Sequence, residues 1–348
     1  MTGSVRGRRA GIKDVAAAAG VSTQTVSNVV NRRGRFAGAT RDRVLAEVAR
    51  LGYRPHGAAQ NLRYQRTMLL GLPLTADILL PGNVVMAEFL QASVAAAADI
   101  GYQVVVSGGA DSAAGIDAMI AEARVDAFLL ADLDDGDLRL ATVLAAQAPF
   151  ACFGRTPPGQ PQSWVDIDNA GAVRAVVAHL VDRGHREFAY VGYSDQRFWD
   201  VARERGFELG LRAAGVAVGP RHLHRVTQAT AGEVVRDFLR EPRRPTAVVT
   251  GSDALAVAVY AAAAAEGLQV GNDLAVTGFD GSALGRALVP SLTSAVIPVE
   301  EVARSVVRRA VDEIDGQTGL PGQLLTARLV VGDSSAGPPP ARDVDTVR

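Results

Sequence analysis

The sequence predicts an N-terminal all-α helix-turn-helix head, followed by an α/β core of two doubly wound parallel-sheet subdomains. Two short amphipathic stretches around a tight turn predict the head. From Met68 onward, short apolar runs alternate with helical stretches, which is typical of parallel α/β sheets. Charge divides at the same place. Residues 1–66 hold 13 Lys and Arg against 3 Asp and Glu, and the remaining residues hold 23 against 34. A basic head on an acidic core suggests that the head meets a polyanion.

The stretch at residues 11–31, GIKDVAAAAGVSTQTVSNVVN, predicts the two helices of the head. Gly20 suits a left-handed turn between them, and Ser22 stands where an N-cap belongs. The outer face of the second helix carries short uncharged side chains: Thr23, Gln24, Thr25, Ser27, Asn28 and Asn31. Groups that both donate and accept suit a helix in the DNA major groove. A helical hairpin with a merely polar outer face fits this pattern as well.

The rest of the head predicts a third helix and a hinge. The helix runs over Arg41–Leu51 with a weakly capped start near Thr40, because Ala37 and Gly38 stand where Ser or Thr would cap it. Residues 56–67 are too short for a stable isolated helix and predict a hinge that folds only when held. We therefore expect a disordered tail at 1–10, a DNA-binding domain at 11–55 and a hinge helix with linker at 56–67.

Residues 68–332 predict the core, with seven strands and seven helices in alternation. The strands are Met68–Leu72, Gln103–Ser107, Asp126–Ala131, Pro149–Phe153, Glu187–Tyr193, Thr246–Thr250 and Leu274–Phe279. The helices are 84–100, 114–123, 137–147, 170–183, 200–214, 230–240 and 253–266. The region is too long for one compact sheet and predicts two similar halves. Residues 333–348 combine Pro, Ser and charge without periodicity, which predicts a disordered tail.

Several classes of protein are disfavoured by what the sequence lacks. No stretch of about 20 apolar residues predicts a membrane span. The N-terminal arginines precede no apolar segment, so we expect no secretory signal and a cytoplasmic location. Cys152, the single cysteine, lies in an apolar run and predicts a buried hydrophobe. Phosphate-binding loops, nucleophile elbows and metal-ligand spacings are missing. We therefore expect no enzyme, no cofactor and no metal.

Residues 11–67 resemble the head of LacI/GalR-type (lactose-repressor-like) transcription regulators. The matching blocks are IKDVAAAAGVSTQTVSNVVN, TRDRVLAEVARLGYRP and AAQNL. The resemblance implies that Thr23, Gln24 and Asn28 face bases, and that Thr25, Ser27 and Asn31 approach phosphates. It also implies that Leu62 of the hinge helix, beside the small Ala59, wedges between base steps in the minor groove. Many members carry Arg in place of Asn28, so we expect an altered half-site, with adenine in place of guanine.

The core resembles the periplasmic-binding-protein-like core of the same family, nearly to residue 332. Matching blocks include VDIDNAGAVRAVVAHLVDRGHREFAYVG, TGSDALAVAVYAA and LAVTGFDGSALGRALVPSLTSAVIP. In that fold the chain crosses between subdomains three times, which we place near 167, 297 and 323. The N-subdomain would then hold 68–167 and 298–322, and the C-subdomain 168–297 and 323–332. The effector would lie between them, at the carboxyl ends of the strands.

The resemblance implies an effector site on named residues. Arg203 and Asp280 match the family's ligand-binding arginine and aspartate. Ser252 and Asp253 match an Asn-Asp pair, with Ser replacing Asn, which leaves the identity of the sugar open. Further candidates are Asp132 and Asp166 at strand ends and the stacking aromatics Phe198 and Trp199 just before Arg203. The resemblance adds Pro81, because the apolar stretch Ile78–Pro81 falls where the first cleft loop of the family lies. One of the two aromatic residues could equally belong to the core.

Taken together, these features predict a repressor whose operator affinity is set by a sugar or sugar-like effector. We expect a homodimer on a palindromic double-stranded DNA operator, because the C-terminus lacks the leucine heptads of tetrameric relatives. One alternative is the solute-binding receptor of a sugar transport system, which the core alone would suit. The other is an enzyme that uses the cleft, although no acid/base or nucleophile arrangement supports it.

Overall fold

The computed structural model describes residues 10–30, 37–53, 66–75, 83–108, 112–195 and 197–337. The chain divides into two compact units, Met1–Thr67 and Met68–Arg348. None of the helices in the described ranges is long and apolar enough to cross a membrane.

The first unit contains three helices that share one apolar core. They are α1 (Ile12–Ala19), α2 (Thr23–Val30) and α3 (Gly38–Arg50). The buried residues of this core are Val15, Ala16, Ala19, Val26, Val29 and Val44. Gly20 adopts the left-handed conformation predicted for the turn, with φ of 65°. Helix α3 starts after Ala37, which makes no side-chain cap, so it begins three residues before the expected Arg41.

The second unit contains two six-stranded sheets of matching topology, and we call the two halves the N-lobe and the C-lobe. The N-lobe strands are β1 (Leu69–Leu74), β2 (Gln103–Gly108), β3 (Ala127–Ala131), β4 (Phe150–Phe153), β5 (Trp164–Ile167) and β11 (Gln323–Leu325), in the order β11-β5-β4-β3-β1-β2. The C-lobe strands are β6 (Phe188–Tyr193), β7 (Leu223–Val226), β8 (Ala247–Thr250), β9 (Ala275–Asp280), β10 (Thr293–Val296) and β12 (Arg328–Val330), in the order β12-β10-β9-β8-β6-β7. All pairings are parallel except β10 with β12. The predicted doubly wound architecture is therefore confirmed.

Helices connect the strands of both sheets. They are α4 (Val84–Asp99), α5 (Ser112–Ala121), α6 (Leu138–Ala145), α7 (Asn169–Asp182), α8 (Phe198–Ala213), α9 (Ala231–Leu239), α10 (Asp253–Ala265), α11 (Ala283–Arg286) and α12 (Val299–Ile314). The sequence-based assignment omits the helices α11 and α12 and the five strands β5, β7, β10, β11 and β12. Each of those strands has only three or four residues, too few for an alternating pattern. Helix α12 packs against α4 and the N-lobe sheet.

The chain crosses between the lobes at three places. The first crossing follows Ile167, the end of β5, and the second follows Val296, the end of β10. The third lies between Leu325 and Arg328, because β11 still belongs to the N-lobe sheet. It therefore falls a few residues after the expected position near 323.

The start of the expected disordered tail is ordered, so that part of the prediction is wrong. Asp333–Ser335 forms a 3-10 turn in which both serines are fully buried. The Ser334 hydroxyl donates to the carbonyl of Val276 at 2.6 Å and accepts from the backbone N–H of Thr293 at 2.8 Å. Small hydroxyl residues satisfy buried backbone groups here. In the sequence, these residues appear only as a polar stretch without periodicity, so their burial could not be predicted from composition.

Two glycines let α8 approach α7 closely. A Cβ on Gly206 would lie 2.5 Å from the carbonyl oxygen of Ala170, and one on Gly210 would lie 2.8 Å from Cβ of Val177. No real side chain tolerates such distances, so glycine is required at this contact. The contact holds the second half of α8 against α7 between Ala170 and Val177.

Candidate functional site

A cavity of about 290 Å³ lies between the two lobes. The strands β3, β5, β6, β8 and β9 all end at it, as expected for ligand sites of open α/β sheets. Of the proposed effector residues, Asp132, Asp166, Phe198, Trp199, Arg203, Ser252 and Asp280 line this cavity. Pro81 lies outside the described residues. Both aromatic residues thus face the cavity, although either could have belonged to the core.

Arg203 is the most constrained polar group of the cavity wall. Its Nε donates to Oδ1 of Asn169 at 2.8 Å, and its Nη1 donates to the carbonyl of Gly251 at 2.6 Å. Nη1 also lies 3.5 Å from Oδ1 of Asp280. Within the described part of the chain, Nη2 has no hydrogen-bond partner, so its two N–H groups remain for a ligand.

Two aromatic rings contact this guanidinium group. Its central carbon lies 3.6 Å from the ring centre of Phe279 and 4.5 Å from that of Trp199. Such contacts suit the planar, weakly hydrated guanidinium of arginine. Arg203 therefore presents its remaining donors in a fixed direction, with little conformational freedom to lose on binding.

Asp280 is the acceptor that stands beside these donors. It ends β9 with φ of 110°, a backbone conformation that residues other than glycine rarely adopt. Burial raises its pKa to about 8, and the attraction of Arg203 only partly opposes that shift. Because this carboxyl group lines the cavity, it is available to accept hydrogen bonds from ligand hydroxyls or N–H groups.

Asp253 does not take the role proposed for it. Its side chain is fully buried and does not line the cavity. The carboxylate accepts from the backbone N–H of Ser282 at 2.7 Å and from the hydroxyl of Ser294 at 2.7 Å. These bonds tie the start of α10 to the segment that follows β9 and to strand β10 itself. We therefore correct the prediction and assign Asp253 to the structure of the C-lobe.

A bridge between the lobes closes one side of the cavity, and we call it the Asp132 bridge. Asp132 belongs to the N-lobe, whereas Arg197 and Trp199 belong to the C-lobe. The indole Nε1 of Trp199 donates to Oδ1 of Asp132 at 2.9 Å. Nη1 of Arg197 lies 2.9 Å from Oδ2 of the same carboxylate. One N-lobe side chain therefore receives two C-lobe donors.

A buried arginine fixes the backbone of this bridge. Arg139 forms an ion pair with Asp137, with 2.5 Å between Nη2 and Oδ2. It also donates to the carbonyls of Pro73 at 3.3 Å and of Asp132 at 3.2 Å. Asp132 has φ of 54°, a conformation that costs free energy and persists only when neighbours hold it. Arg139 supplies part of that support.

The N-lobe also contributes a second ion pair, between Arg155 and Asp166. The Nε of Arg155 donates to Oδ2 of Asp166 at 3.0 Å. Asn169 donates to Oδ1 of the same carboxylate at 3.4 Å and, through its own Oδ1, accepts from Arg203. Burial raises the pKa of Asp166, and the charge of Arg155 opposes that shift. Asn169 thus links the polar groups of the two lobes next to the first crossing.

Sequence reasoning missed several residues of the wall, notably Tyr193, Asn169, Arg155 and Arg197. The Tyr193 hydroxyl lies 2.9 Å from the hydroxyl of Ser252, which also caps α10 by accepting from the backbone N–H of Leu255. Tyr193 is the last residue of β6, so its place at the end of a C-lobe strand was the available signal.

The head presents a second candidate site, on α2. Ser22 caps this helix as predicted, since its hydroxyl accepts from the backbone N–H of Thr25 at 3.1 Å. Thr23 and Gln24 are exposed, and Thr25, Ser27 and Asn28 are half-buried at its surface. Gln24 donates through Nε2 to Oδ1 of Asn28 at 3.0 Å. The remaining proposed DNA contacts, Asn31, Ala59 and Leu62, lie outside the described residues.

Other reactive groups do not form a site in the described ranges. No group of three or more His, Cys, Asp or Glu side chains there could hold a metal ion. Cys152 is buried as predicted, and burial raises the pKa of its thiol. His185 is buried as well, and desolvation lowers its pKa to about 4.

A helix-turn-helix head attached to a two-lobed core with an interlobe cavity defines a class, the ligand-responsive bacterial transcription regulators. Residues 11–56 match the family model described as "Bacterial regulatory proteins, lacI family". Residues 177–335 match the model of a periplasmic binding protein-like domain.

Curated relatives show the same similarity along nearly the whole chain. The HTH-type transcriptional regulator CelR of Thermobifida fusca is 31% identical over 345 residues, covering 94% of this chain and 99% of its own length. The HTH-type transcriptional repressor CytR of Escherichia coli (strain K12) is 28% identical, covering 94% and 97%. The chain therefore belongs to the LacI family and is a DNA-binding transcription regulator. These relatives favour that interpretation over the transport-receptor and enzyme alternatives.

Solved structures agree with this assignment. A CelR–cellobiose complex aligns with a TM-score of 0.71 at 30% identity, covering 94% of this chain and 100% of that one. The lac repressor dimer bound to operator and the anti-inducer ONPF aligns with a TM-score of 0.80 at 26% identity, covering 94% and 99%.

Proposed function

We propose that this regulator is a homodimeric repressor whose affinity for a palindromic operator is controlled by a sugar or sugar-like effector. The observation that carries the effector part is the interlobe cavity with Arg203 and Asp280 side by side. A fixed donor next to an acceptor fits a sugar hydroxyl, which accepts one hydrogen bond and donates another. The cellobiose complex of the relative CelR supports this choice. As a DNA-binding regulator the protein would act in the cytoplasm.

The proposed DNA-binding domain is residues 11–55, with a hinge at 56–67. Within α2, Thr23, Gln24 and Asn28 would face bases, whereas Thr25 and Ser27 would approach phosphates. Asn31 would also approach a phosphate, and the hinge residues Ala59 and Leu62 would enter the minor groove; these three assignments rest on the family resemblance. A dimer would place two such helices in successive major grooves of a palindrome.

The base contacted by Asn28 can be tested by exchange. Asparagine pairs with adenine N6 and N7, whereas arginine pairs with guanine O6 and N7. Selection of DNA sites by the wild type and by Asn28→Arg should therefore return sites that differ at one symmetric base pair. Identical preferred sites would refute the assignment of Asn28.

Control by the effector requires the ligand to bind two states of the core with different affinity. We propose that these states differ in how the lobes are held across the Asp132 bridge. Coupling of about 1–3 kcal/mol would change operator affinity by roughly 5- to 150-fold. Linkage permits either sign, so the effector could release the operator or promote its binding.

One experiment tests the function as a whole. The full-length protein is used to select DNA sites, and small molecules are then screened for those that change its retention on the selected site. We expect a palindromic site and at least one sugar that changes retention. A Gln24→Ala/Asn28→Ala double variant serves as the matched control and should retain no specific site. Failure of the wild type to select any site would contradict the proposal.

A further inference from the structure

The cavity wall carries three arginines, which would ordinarily suggest an anionic ligand. Each of them already faces a carboxylate of the protein. Arg155 pairs with Asp166 at 3.0 Å, and Arg203 lies 3.5 Å from Asp280. Arg197 has two acidic partners at 2.9 Å, one of which is the bridging Asp132. Because each cation has an acidic partner, an incoming anion would have to compete with an existing pair.

The net charge of the cavity wall also disfavours an anionic ligand. Its charged residues are four aspartates, Asp132, Asp166, Asp195 and Asp280, and three arginines, Arg155, Arg197 and Arg203. With all of them ionised the net charge is minus one, and with Asp280 protonated it is zero. Among the described residues of the wall, no surplus positive charge is therefore available to a phosphate or carboxylate.

The rest of the wall offers neutral chemistry. Phe198 and Phe153 provide apolar surface, and Tyr193, Ser252 and Gln228 form a cluster of hydroxyl and amide groups on the C-lobe side. A ring with hydroxyl groups along its edge and an apolar face matches this combination. A buried anion without its own cation would instead lose its hydration uncompensated.

We infer that the effector is an uncharged polyhydroxylated ring, and that the paired arginines exclude phosphorylated and carboxylated sugars. This inference rests on the proposed function and narrows its ligand class. The arginines orient hydroxyl groups, while the aspartates of the wall leave no net positive charge for an anion, whether or not Asp280 carries its proton. The family resemblance alone specifies no such restriction, because it assigns contact residues and not the charge of the ligand.

Matched sugars test the inference by calorimetry with the full-length protein. The sets are glucose, glucose 6-phosphate and glucuronate; galactose, galactose 6-phosphate and galacturonate; and cellobiose with cellobiose 6′-phosphate. In every set with measurable binding, the uncharged sugar should bind about 10- to 100-fold more tightly than its anionic counterparts. Equal or tighter binding of an anionic member in any set would overturn the inference.

Absence of binding to every sugar would also overturn the inference. Operator selection by the same preparation distinguishes that result from failure of the proposed function. If the protein selects a DNA site but binds no sugar, the ligand class is wrong and the DNA-binding function stands. If it selects no site yet binds the uncharged sugars, the inference about the cavity survives and the regulatory proposal fails.

Removing the aspartate partner of one cavity arginine should weaken the discrimination against anionic sugars. Asp166→Asn leaves Arg155 without its paired charge, so the affinity ratio of uncharged to anionic sugar should fall several-fold. Asp117→Asn removes the same charge from an exposed position on α5 outside the cavity and should leave the ratio unchanged. Equal ratios in both variants would contradict the inference. Asp195→Asn, at a rim position that is 53% exposed, gives a second test if Asp166→Asn does not fold.

Discussion

Each lobe of the core buries an arginine next to the cavity, Arg139 in the N-lobe and Arg203 in the C-lobe. The two differ in how many of their guanidinium N–H groups are bonded to the protein. Arg139 in the N-lobe is 2% exposed, and Arg203 in the C-lobe is 5% exposed. Arg139 directs its hydrogen bonds to protein groups, with three contacts to Asp137 and one each to the carbonyls of Pro73 and Asp132. Arg203 keeps one nitrogen and a loosely held carboxylate partner facing the cavity.

The difference separates two uses of a buried charge. A buried ion pair whose hydrogen bonds are complete fixes backbone geometry, and here it holds the carbonyl of Asp132 at the cavity edge. A buried cation with incomplete bonding is a binding group, since ligand atoms can supply what is missing. Removing Arg139 should therefore change folding more than binding, whereas altering Arg203 should do the reverse.

The largest effect is expected from Arg139→Met. It leaves Asp137 buried without its partner, which should lower the free energy of unfolding by about 3–5 kcal/mol. Urea denaturation of the full-length protein measures this loss. Arg124→Met is the matched control, because Arg124 is an exposed arginine in a surface ion pair and should change stability by less than about 1 kcal/mol. Similar losses in the two variants would contradict the structural role of Arg139.

Arg203→Lys should weaken effector binding with a smaller cost in stability. Lysine keeps the charge but loses the planar group that contacts two rings and lies beside Asp280, so affinity should fall about 10- to 100-fold. Isothermal titration calorimetry with the sugar identified by screening measures this affinity. Arg205→Lys, exposed on the same helix, should bind like the wild type. An unchanged affinity in Arg203→Lys would refute the role of Arg203.

Asp280 predicts a pH dependence whose sign follows from its pKa. The folded protein keeps a proton on this carboxyl up to about pH 8, whereas the unfolded chain releases it near 3.8. Stability from this group is thus present below pH 3.8 and lost as pH rises toward 8, by at most about 1.4 kcal/mol per pH unit. In Asp280→Asn, the fall in unfolding free energy between pH 6 and 8 should be smaller. An equal fall in both proteins would count against a protonated Asp280.

The smallest effect is expected from Trp199→Phe, which keeps an aromatic ring but removes the N–H that reaches Asp132 across the cleft. The loss should amount to about 1 kcal/mol, since Arg197 still bridges to the same carboxylate. It should appear as a change in effector affinity without loss of operator binding. Phe198→Leu, a neighbouring change without a polar contact, controls for lost aromatic surface. Identical behaviour of the two variants would indicate that the N–H of Trp199 contributes nothing.

The sequence predicted the groups that follow strands and match family blocks, such as Asp132, Arg203 and Asp280. It did not predict Arg139, because its role comes from contacts with the backbone carbonyls of Pro73 and Asp132, which no sequence pattern places beside it. It assigned Asp253 to the ligand site wrongly, because the position of a residue in a family block does not reveal which way its carboxylate points. The strands β10 to β12 escaped prediction because three or four residues are too few to show an alternating pattern. The ordered Ser334 escaped prediction because its partners, Val276 and Thr293, lie elsewhere in the chain.

Fluorescence anisotropy of a labelled operator, taken from site selection, tests the central claim most directly. It would be measured for the wild type and Arg203→Lys, each with and without the sugar found by screening. We predict equal operator affinity without sugar, and a sugar-dependent change in the wild type at concentrations that leave the variant unaffected. If sugar bound the wild type without changing operator affinity, or changed both proteins alike, the proposed control of the head through the cleft would be contradicted.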